Sequence, residues 1–243
     1  MRIFLGKEGR NELFENSPKI CQIIHGWYPF ICPDGVLIVP GDSHFIIRDI
    51  YKLNVYERNK IGKDDVVVDV GAHVGIFALK AARRGRLVIA VEPFPSNFKL
   101  LLMNTKINRL ENVIPVNVAL GSYDGEVELL IATRSCLHTI SDFRQSTQEE
   151  ISNKKLKVRL KTLDSLMHEL GIKKIGFIKI DAEGAELDIL KGASNILQNY
   201  AKIKVAVASY HLPNERENIE NFLKQKGFKS VVSSKGILHA YSL

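Results

Sequence analysis

Residues 66–75 read Val66-Val67-Val68-Asp69-Val70-Gly71-Ala72-His73-Val74-Gly75, and the architecture expected for the chain follows from them. The β-branched run at 66–70 is typical of a strand that is buried on both faces. Helix-compatible residues follow at 75–84, so a glycine-containing turn lies directly between a strand and a helix. Glycines there let the backbone approach a ligand closely, and the start of the helix presents free N–H groups. The stretch therefore predicts a ligand-binding turn at the carboxyl end of a strand.

Strand and helix patterns alternate along most of the remaining chain. Since parallel neighbours need crossover connections, the pattern predicts an α/β, Rossmann-like fold with a mainly parallel seven-stranded sheet. A hairpin with antiparallel strands is expected to end the chain. The strands predicted after 66–70 are 87–91, 113–120, 175–180, 203–208, 229–232 and 237–241, and the helices are 75–84, 96–108, 184–190 and 214–226.

Two parts of the chain depart from this alternation. Residues 1–60 are expected to form a lead-in, with a hairpin near 27–39 and a helix at 45–57, that packs on a main domain at 61–243. Residues 121–161 contain a turn, two strand-like stretches and a polar stretch with no apolar period, which predicts a β insertion on the sheet.

Composition excludes several classes of protein. The chain has 243 residues of which 45% are hydrophobic, enough for a sizeable core. No stretch approaches the roughly 18 apolar residues of a membrane span, and the start of the chain lacks a signal-peptide core. The three cysteines are too few and too irregularly spaced for a disulfide framework. We therefore predict a soluble, cytoplasmic protein.

The formal net charge of +7 is concentrated in one region. Residues 152–180 contain eight basic residues and two acidic ones, and a basic surface of this kind attracts nucleic acid without reading its sequence. Phe177 is the only aromatic residue there, however, so the interleaved aromatic residues of a base-stacking platform are missing. The stretch indicates an anionic acceptor or a solvated face, with RNA as the alternative.

The turn after the first strand differs from a dinucleotide-binding turn. Counting from Gly71, the second and third glycine positions of that fingerprint hold His73 and Ile76. Glu92 follows the strand 87–91, where a carboxylate can accept hydrogen bonds from both hydroxyls of a ribose. The two features together predict a nucleoside cofactor that is not a nicotinamide dinucleotide.

Four segments carry a resemblance to a known family: VDVGAHVG at 68–75, VEP at 91–93, NVIPVNVALG at 112–121 and IKIDAEGAE at 178–186. With them the chain resembles the class I S-adenosyl-L-methionine-dependent methyltransferases and, more narrowly, the FkbM family. The fourth segment is the most specific, and the resemblance extends over roughly residues 60–215. His73 is a departure, because the family usually has asparagine there.

The resemblance implies transfer of a methyl group from S-adenosyl-L-methionine to an acceptor oxygen, and it implies a role for individual residues. The turn would shape the site for the methionine part of the cofactor, Glu92 would hold the ribose, and the segment after the third strand would border the adenine. The implied cofactor-binding residues are Asp69, Gly71, His73, Gly75, Glu92, Asn117 and Ala119.

Candidates for the reacting centre lie after the next two strands. Asp181 should emerge at the same sheet edge as Glu92, and Glu183 and Glu186 follow it as candidates for binding the acceptor or a metal; the structural alternatives are a helix cap at Asp181 and a dipole-complementing carboxylate at Glu186. His211 follows the neighbouring strand, where a histidine with a near-neutral pKa would serve as general base, or would be a solvated loop residue. His138 is a weaker candidate for the acceptor side of the site.

The predicted function is O-methylation of a hydroxyl on a sugar, a glycan or another small molecule, with Asp181, Glu183 and His211 as catalytic candidates. These three side chains suit a divalent metal ion, but no motif spacing demands one, so no metal site is predicted. The alternatives are an RNA methyltransferase that uses the basic stretch at 152–180 and a non-catalytic module that only binds the cofactor.

Overall fold

A computed structural model describes residues 26–132, 135, 138–140, 151–232 and 235–242. The sequence-based expectations for residues 1–25, for Cys21 and Cys136, and for most of the polar stretch at 133–150 lie outside the described residues.

A mainly parallel sheet forms the centre of the molecule. Within the described ranges it has seven strands in the order β11-β12-β10-β9-β3-β4-β5, and β12 runs antiparallel to both of its neighbours. The predicted parallel core and terminal hairpin are therefore confirmed. The strands are β3 Val66–Val70, β4 Leu87–Val91, β5 Val113–Val116, β9 Phe177–Ile180, β10 Lys204–Ala208, β11 Lys229–Val232 and β12 Ile237–Tyr241.

Helices cover both faces of this sheet. Two of them, α4 at Leu163–Glu169 and α6 at Ser194–Asn199, were not predicted from the sequence. The prediction placed no helix between the insertion, which it ended at residue 161, and the next strand, and none between the helix that it ended at residue 190 and the strand that follows it. Helix α4 begins because Thr162 Oγ1 accepts a hydrogen bond from the N–H of Ser165 at 3.1 Å. The helices after the lead-in are α2 Ile76–Ala82, α3 Pro95–Ile107, α4 Leu163–Glu169, α5 Glu186–Lys191, α6 Ser194–Asn199 and α7 Glu215–Gln225.

The single strand predicted at 113–120 is wrong, because the chain changes sheets there. Strand β5 ends at Val116, and β6 Ala119–Leu120 belongs to a separate sheet. Asn117 lies between them, and its Nδ2 donates to the carbonyl oxygens of Glu92 at 2.8 Å and Pro93 at 3.0 Å. The amide thus ties the end of β5 to the end of β4.

The predicted β insertion is a second sheet beside the first one. Among the described residues it has three strands in the order β6-β8-β7, with β7 at Gly125–Ala132 and β8 at Ile151–Lys161. Strand β6 runs parallel to β8, and β7 runs antiparallel to it. The insertion therefore begins just after β5, the strand at one edge of the central sheet.

The lead-in packs on the core through a hairpin of β1 Trp27–Cys32 and β2 Gly35–Pro40. Two asparagines of α3 bond to the backbone of β2 as a neighbouring strand would. Asn104 accepts from the N–H of Ile38 at 2.7 Å, and Asn108 accepts from the N–H of Val36 at 2.8 Å. Each amide also donates back to the carbonyl of the same residue, so the hairpin is held in one register on the helix.

The helix predicted at 45–57 is shorter and less regular. Helix α1 spans His44–Ile47 and continues as a π-helical segment at Arg48–Lys52. It stops because Asn54 has a left-handed backbone with φ of 47°. Lys80 of α2, only 3% exposed, donates to the carbonyl of Ile50 at 2.7 Å and pairs with Glu57. These two contacts hold the end of the π-helical segment and Glu57 against α2.

Two hydrophobic cores fill the space on either side of the sheet. One contains the lead-in together with α2 and α3, and the other contains α4 to α7. Alternation along β3 sends Val67 to the first core and Val68 to the second. Among the described helices the longest has 13 residues, and none is long and apolar enough to cross a membrane.

Candidate active site

Two cavities lie at the carboxyl ends of the parallel strands. The first, here named the Glu92 cavity, has a volume of about 570 Å³, and the second, the Tyr210 cavity, has about 540 Å³. Four residues line both of them: Gly71, His73, Asp181 and Glu183. The two cavities therefore meet where β3 and β9 end.

Glu92 is the charged group of the first cavity. It is 5% exposed, and its two carboxylate oxygens accept from the N–H groups of His73 and Phe94, each at 2.9 Å. Burial raises the pKa of Glu92 to about 7, although these N–H groups work in the opposite direction. Each oxygen keeps a further lone pair for a hydroxyl in the cavity.

The opposite side of the Glu92 cavity is apolar. Its lining residues there include Val118, Ala119, Leu120 and Ile140. Ala119 therefore lies where the resemblance implies. Asn117 is not among the lining residues, and it acts on the cavity only through the ends of β4 and β5.

The two glycines of the turn have different surroundings. Gly71 has φ of 69°, and a Cβ there would lie 1.9 Å from the carbonyl oxygen of Asp181. Gly75 has φ of 90°, and a Cβ would lie 2.7 Å from Leu101 Cδ1. Gly71 thus permits the close approach of the β3 and β9 ends that separates the cavities, whereas Gly75 permits helix packing and lines neither cavity.

Asp69 lies beneath the turn, outside the lining of both cavities. It is fully buried, and its Oδ1 pairs at 3.1 Å with Nζ of Lys179, its register partner on β9. Burial raises the pKa of Asp69 despite this lysine. Lys179 also donates to the carbonyl oxygens of Val70 and Gly71 at 3.1 and 2.8 Å. The pair therefore supports the turn from below, and the role of Asp69 toward the cofactor stays a prediction.

Tyr56 joins this ion pair to the second cavity. Its hydroxyl donates to Asp181 Oδ2 at 2.5 Å, and Nζ of Lys179 lies 5.5 Å from the centre of its ring. The ring also packs edge-to-face on Phe77. A residue of the lead-in thus fixes the orientation of the Asp181 carboxylate.

His73 lies between the cavities with a left-handed backbone, φ 53°. Burial lowers its pKa to about 4, so the imidazole is neutral at physiological pH. Ser135 Oγ donates to Asp42 Oδ1 at 2.7 Å, so its contact with His73 Nε2 at 2.9 Å needs the proton on the imidazole. His73 is therefore a hydrogen-bond donor that holds Ser135 over the Glu92 cavity.

His138, the weaker sequence candidate, lines the Glu92 cavity rather than the Tyr210 cavity. Its ring lies 3.9 Å from that of Phe94, centre to centre, and its Nδ1 accepts from the N–H of Ala132 at 3.0 Å. The role on the acceptor side that the sequence suggests for His138 stays a prediction.

Asp181, Glu183 and His211 come together as predicted. His211 Nε2 lies 3.6 Å from Asp181 Oδ1 and 3.6 Å from Glu183 Oε2, and Nδ1 lies 2.9 Å from Glu186 Oε1. Burial alone would lower the pKa of His211, but the three carboxylates raise it to about 10. This differs from the near-neutral pKa expected from the sequence, because the expectation did not include Glu186.

Glu186 has the structural role that was the alternative considered for it. It is fully buried, and its carboxylate accepts from the N–H groups of Ala182 at 2.8 Å and Gly184 at 2.9 Å. Although burial opposes ionisation, His211 and these N–H groups lower the pKa of Glu186. The carboxylate thus shapes the turn that carries Asp181 and Glu183.

The basic stretch at 152–180 lies largely away from both cavities. Lys155 and Lys157 of β8 pair with glutamates of β7, at 2.8 Å for Lys155 and Glu128, and Lys161 pairs with Glu169. Lys179 is the one basic residue of the stretch among those that line the Glu92 and Tyr210 cavities, and it pairs with Asp69. The stretch is thus mainly a solvated face with ion pairs.

A comparison with known families explains this arrangement. The model of the methyltransferase FkbM domain matches residues 69–230, two thirds of the chain. The chain belongs to the FkbM methyltransferase domain family. It is therefore a methyltransferase, and the family predicted from the four sequence segments is confirmed.

Individual relatives agree with this family. The 31-O-demethyl-FK506 methyltransferase FkbM of Streptomyces tacrolimicus is 25% identical over 74% of this chain and 80% of its own length. The hexuronic acid methyltransferase AglP of Haloferax volcanii is 27% identical over 73% of this chain and 68% of its own length. The crystal structure of methyltransferase FkbM from Methylobacillus flagellatus matches with a TM-score of 0.51 at 18% identity, over 83% of this chain and 52% of that chain. That likeness confirms the class I methyltransferase fold.

Sequence reasoning missed several residues that shape the cavities. Tyr56 and Asp42 lie in the lead-in, where neither belongs to a motif. Lys179 lies in the quoted segment at 178–186, but it meets Asp69 only through the register of β3 and β9, so no signal in the sequence could have identified the pair. Tyr210 is 56% exposed beside His211, and an exposed aromatic residue next to a candidate site is a signal of binding.

Proposed function

We propose that this FkbM-domain methyltransferase transfers a methyl group from S-adenosyl-L-methionine to a hydroxyl oxygen of a small molecule or glycan. The observation that carries the proposal is the meeting of the two cavities at Gly71 and Asp181. A donor in one cavity and an acceptor in the other would have their reacting atoms at the shared wall. Such positioning supplies a large part of the rate in transfer reactions between two bound molecules.

The Glu92 cavity fits the donor. Its carboxylate is held by two N–H groups and has lone pairs left for ribose hydroxyls, and the apolar wall of Val118 to Leu120 suits a purine ring. The close approach at Gly71 leaves no space for a side chain beside the shared wall. When bound, S-adenosyl-L-methionine supplies a methyl carbon that is activated by a positively charged sulfur. The protein's own part is to hold the nucleoside and to aim the methyl group at the acceptor.

The Tyr210 cavity fits a hydroxylated acceptor of modest size. Its walls combine apolar and polar side chains, as the walls of small-molecule sites do. Phe45, Ile50 and Phe77 offer an apolar wall, whereas Asp181 and Glu183 place carboxylates at the shared end. Those carboxylates are positioned to bind a hydroxyl and to favour the loss of its proton. We therefore assign the acceptor to this cavity.

Relatives support an oxygen acceptor. One is named for the 31-O-demethyl form of FK506 and another for a hexuronic acid, so both names point to oxygen-rich small molecules or sugars. The RNA alternative is less favoured, because Lys155, Lys157 and Lys161 are engaged with glutamates on a face outside both cavities.

The proposal is tested by calorimetry followed by an acceptor screen. The wild-type protein should bind S-adenosyl-L-methionine at one saturable site. It should then form S-adenosylhomocysteine faster with some member of a panel of sugars and hydroxylated small molecules than with buffer, and NMR should show the new methyl carbon bonded to oxygen. Absence of saturable cofactor binding, or turnover confined to RNA, would overturn the proposal.

A further inference from the structure

One cluster at the shared wall has the donor set of a metal site. Asp181 and Glu183 each offer a carboxylate oxygen and His211 offers Nε2, and these three atoms lie within 4.8 Å of one another. Three protein ligands of this kind leave coordination positions open for an oxygen in the adjoining cavity.

Two of the three ligand atoms, His211 Nε2 and Asp181 Oδ1, make no hydrogen bond inside the cluster. His211 Nε2 is 3.6 Å from each carboxylate, which is too long for a hydrogen bond. Asp181 Oδ1 is buried and has no hydrogen-bond partner among the described residues. The His211 side chain is only 5% exposed, so bulk water has little access to it. A cation bound between the three atoms would displace the Nε2 proton of His211 and would give His211 Nε2 and Asp181 Oδ1 a shared partner.

The surroundings hold the three donors in place. Glu186 contacts the other ring nitrogen of His211 at 2.9 Å, and its own orientation is fixed by the N–H groups of Ala182 and Gly184. A carboxylate on the far nitrogen is the usual support of a metal-binding histidine. The Glu183 carbonyl accepts a hydrogen bond from Thr139 Oγ1 at 2.6 Å. Tyr56 holds the second oxygen of Asp181, which leaves Oδ1 facing His211.

We propose that Asp181, Glu183 and His211 bind a divalent cation at the boundary between the Glu92 and Tyr210 cavities. Two carboxylates and one imidazole favour Mn²⁺ or Zn²⁺ over Mg²⁺ and Ca²⁺, which prefer ligand sets made only of oxygen. Lys179, which also lines the Tyr210 cavity, does not compete for the site because it is paired with Asp69.

The inference rests on the proposed function for its chemical role. A cation there would orient the acceptor hydroxyl and lower its pKa, so the carboxylates would act on the acceptor through the metal rather than by direct contact. Cation binding itself requires neither S-adenosyl-L-methionine nor the acceptor. It can therefore be measured separately from methyl transfer.

The experiment is calorimetric titration of the full-length protein after removal of metals with EDTA, using MnCl₂, ZnCl₂, MgCl₂ and CaCl₂ as separate probes. We expect one saturable Mn²⁺ site that Zn²⁺ also occupies, with weaker binding of Mg²⁺ and Ca²⁺. Glu183→Gln and His211→Gln should each weaken Mn²⁺ binding about tenfold or more. The control is His168→Gln, which changes an exposed histidine of α4 and should leave Mn²⁺ binding unchanged.

Two results would overturn the cation site: no saturable Mn²⁺ or Zn²⁺ binding by the wild-type protein, or undiminished binding by Glu183→Gln. Because His211 also neutralises the buried Glu186, circular dichroism must show that His211→Gln is folded; if it is not, Glu183→Gln alone decides. A protein that binds S-adenosyl-L-methionine and methylates a hydroxyl without a cation would contradict this inference and leave the proposed function intact.

Discussion

The two cavities are built in different ways, although they share a wall. The Glu92 cavity takes about half of its lining residues from segments at the ends of successive strands, at 71–73, 91–97 and 118–120, and others from the insertion, including Leu129, Ser135 and His138. The Tyr210 cavity takes Phe45, Ile46, Ile50 and Tyr56 from the lead-in and meets them with residues from three later segments. The family match begins at residue 69 and so excludes the lead-in. Under the proposed assignment, the donor side lies within the matched domain, whereas the lead-in shapes the acceptor side.

The electrostatic environments of the two cavities differ as well. Glu92 has two N–H donors, and burial raises its pKa to about 7. On the other side, Asp181 and Glu183 lie near His211, whose pKa the carboxylates raise to about 10. The first cavity thus adds Glu92, which is suited to neutral hydroxyls, to the Asp181 and Glu183 carboxylates that line both cavities, and the cluster with His211 at the shared wall is suited to acting on a proton. Substitutions should therefore separate binding from turnover.

The largest expected effect is that of Asp181→Asn. Removal of the charge at the shared wall should lower methyl transfer by roughly 10²- to 10⁴-fold, because the acceptor hydroxyl loses a group that favours its deprotonation. Affinity for S-adenosyl-L-methionine should change far less. Turnover and calorimetry on the same preparation check this, with Asp188→Asn, an exposed aspartate of α5, as the matched control. Equal losses of cofactor affinity and turnover would contradict the assignment of different roles to the two cavities.

Glu92→Ala should have the next largest effect, on the donor alone. Loss of hydrogen bonds to a charged group costs about 1.5–3 kcal/mol, which corresponds to roughly 10- to 100-fold weaker cofactor binding. Glu92→Gln should lie between alanine and the wild type, since it keeps one acceptor oxygen. Calorimetry measures all three, and an unchanged dissociation constant for Glu92→Ala would refute the ribose assignment.

Tyr56→Phe should have a smaller effect, confined to the acceptor side. The variant removes the hydroxyl that donates to Asp181 Oδ2 but keeps the ring on Phe77. We expect kcat to fall about tenfold, with little change in cofactor affinity or thermal stability. Tyr51→Phe is the matched control, because it removes a lead-in hydroxyl that contacts Cys32 rather than either cavity. If both variants lower kcat equally, the Tyr56 contact has no special role.

The smallest expected effect is the pH dependence of cofactor binding. Ionised Glu92 accepts hydrogen bonds through both oxygens, whereas protonation turns one oxygen into a donor. With a pKa of about 7, affinity should fall as the pH falls, by about threefold from pH 7.5 to 6.5. The stability of the free protein has the opposite pH dependence. Because the pKa of Glu92 is raised in the folded state, this group lowers the free energy of unfolding as the pH rises from about 4.5 to about 7. Calorimetric titration with the cofactor from pH 7.5 to 6.5 should show the loss of affinity for the wild-type protein and no such loss for Glu92→Gln.

The parallel core could be predicted from sequence because each of its signals is local. The strand 66–70, the turn glycines and Glu92 are read from short stretches, and Gly71 and Glu92 line the expected cavity, whereas Asp69 and Gly75 do not. Alternation along β3 separates Asp69 from Val68 and Val70, but which face holds the cavity depends on how distant strands pack. The ion pair with Lys179 is therefore visible only in the folded chain.

The acceptor side could not be predicted in the same way, because it depends on long-range contacts. Lys80 holds the end of the π-helical segment and thereby places Tyr56, which lies 125 positions before Asp181. The raised pKa of His211 follows from Glu186, which a helix-end pattern alone assigns to the helix dipole. Because these side chains come from separate segments of the chain, no short sequence motif relates them to one another.

The central claim is that the donor occupies the Glu92 cavity and leaves the Tyr210 cavity for the acceptor. A crystal structure with S-adenosylhomocysteine tests it most directly. We predict that the ribose hydroxyls lie on the Glu92 carboxylate, that the sulfur lies toward Gly71 and Asp181, and that the Tyr210 cavity stays open. A nucleoside bound among Phe45, Tyr56 and Tyr210, or a sulfur directed away from Asp181, would contradict the account.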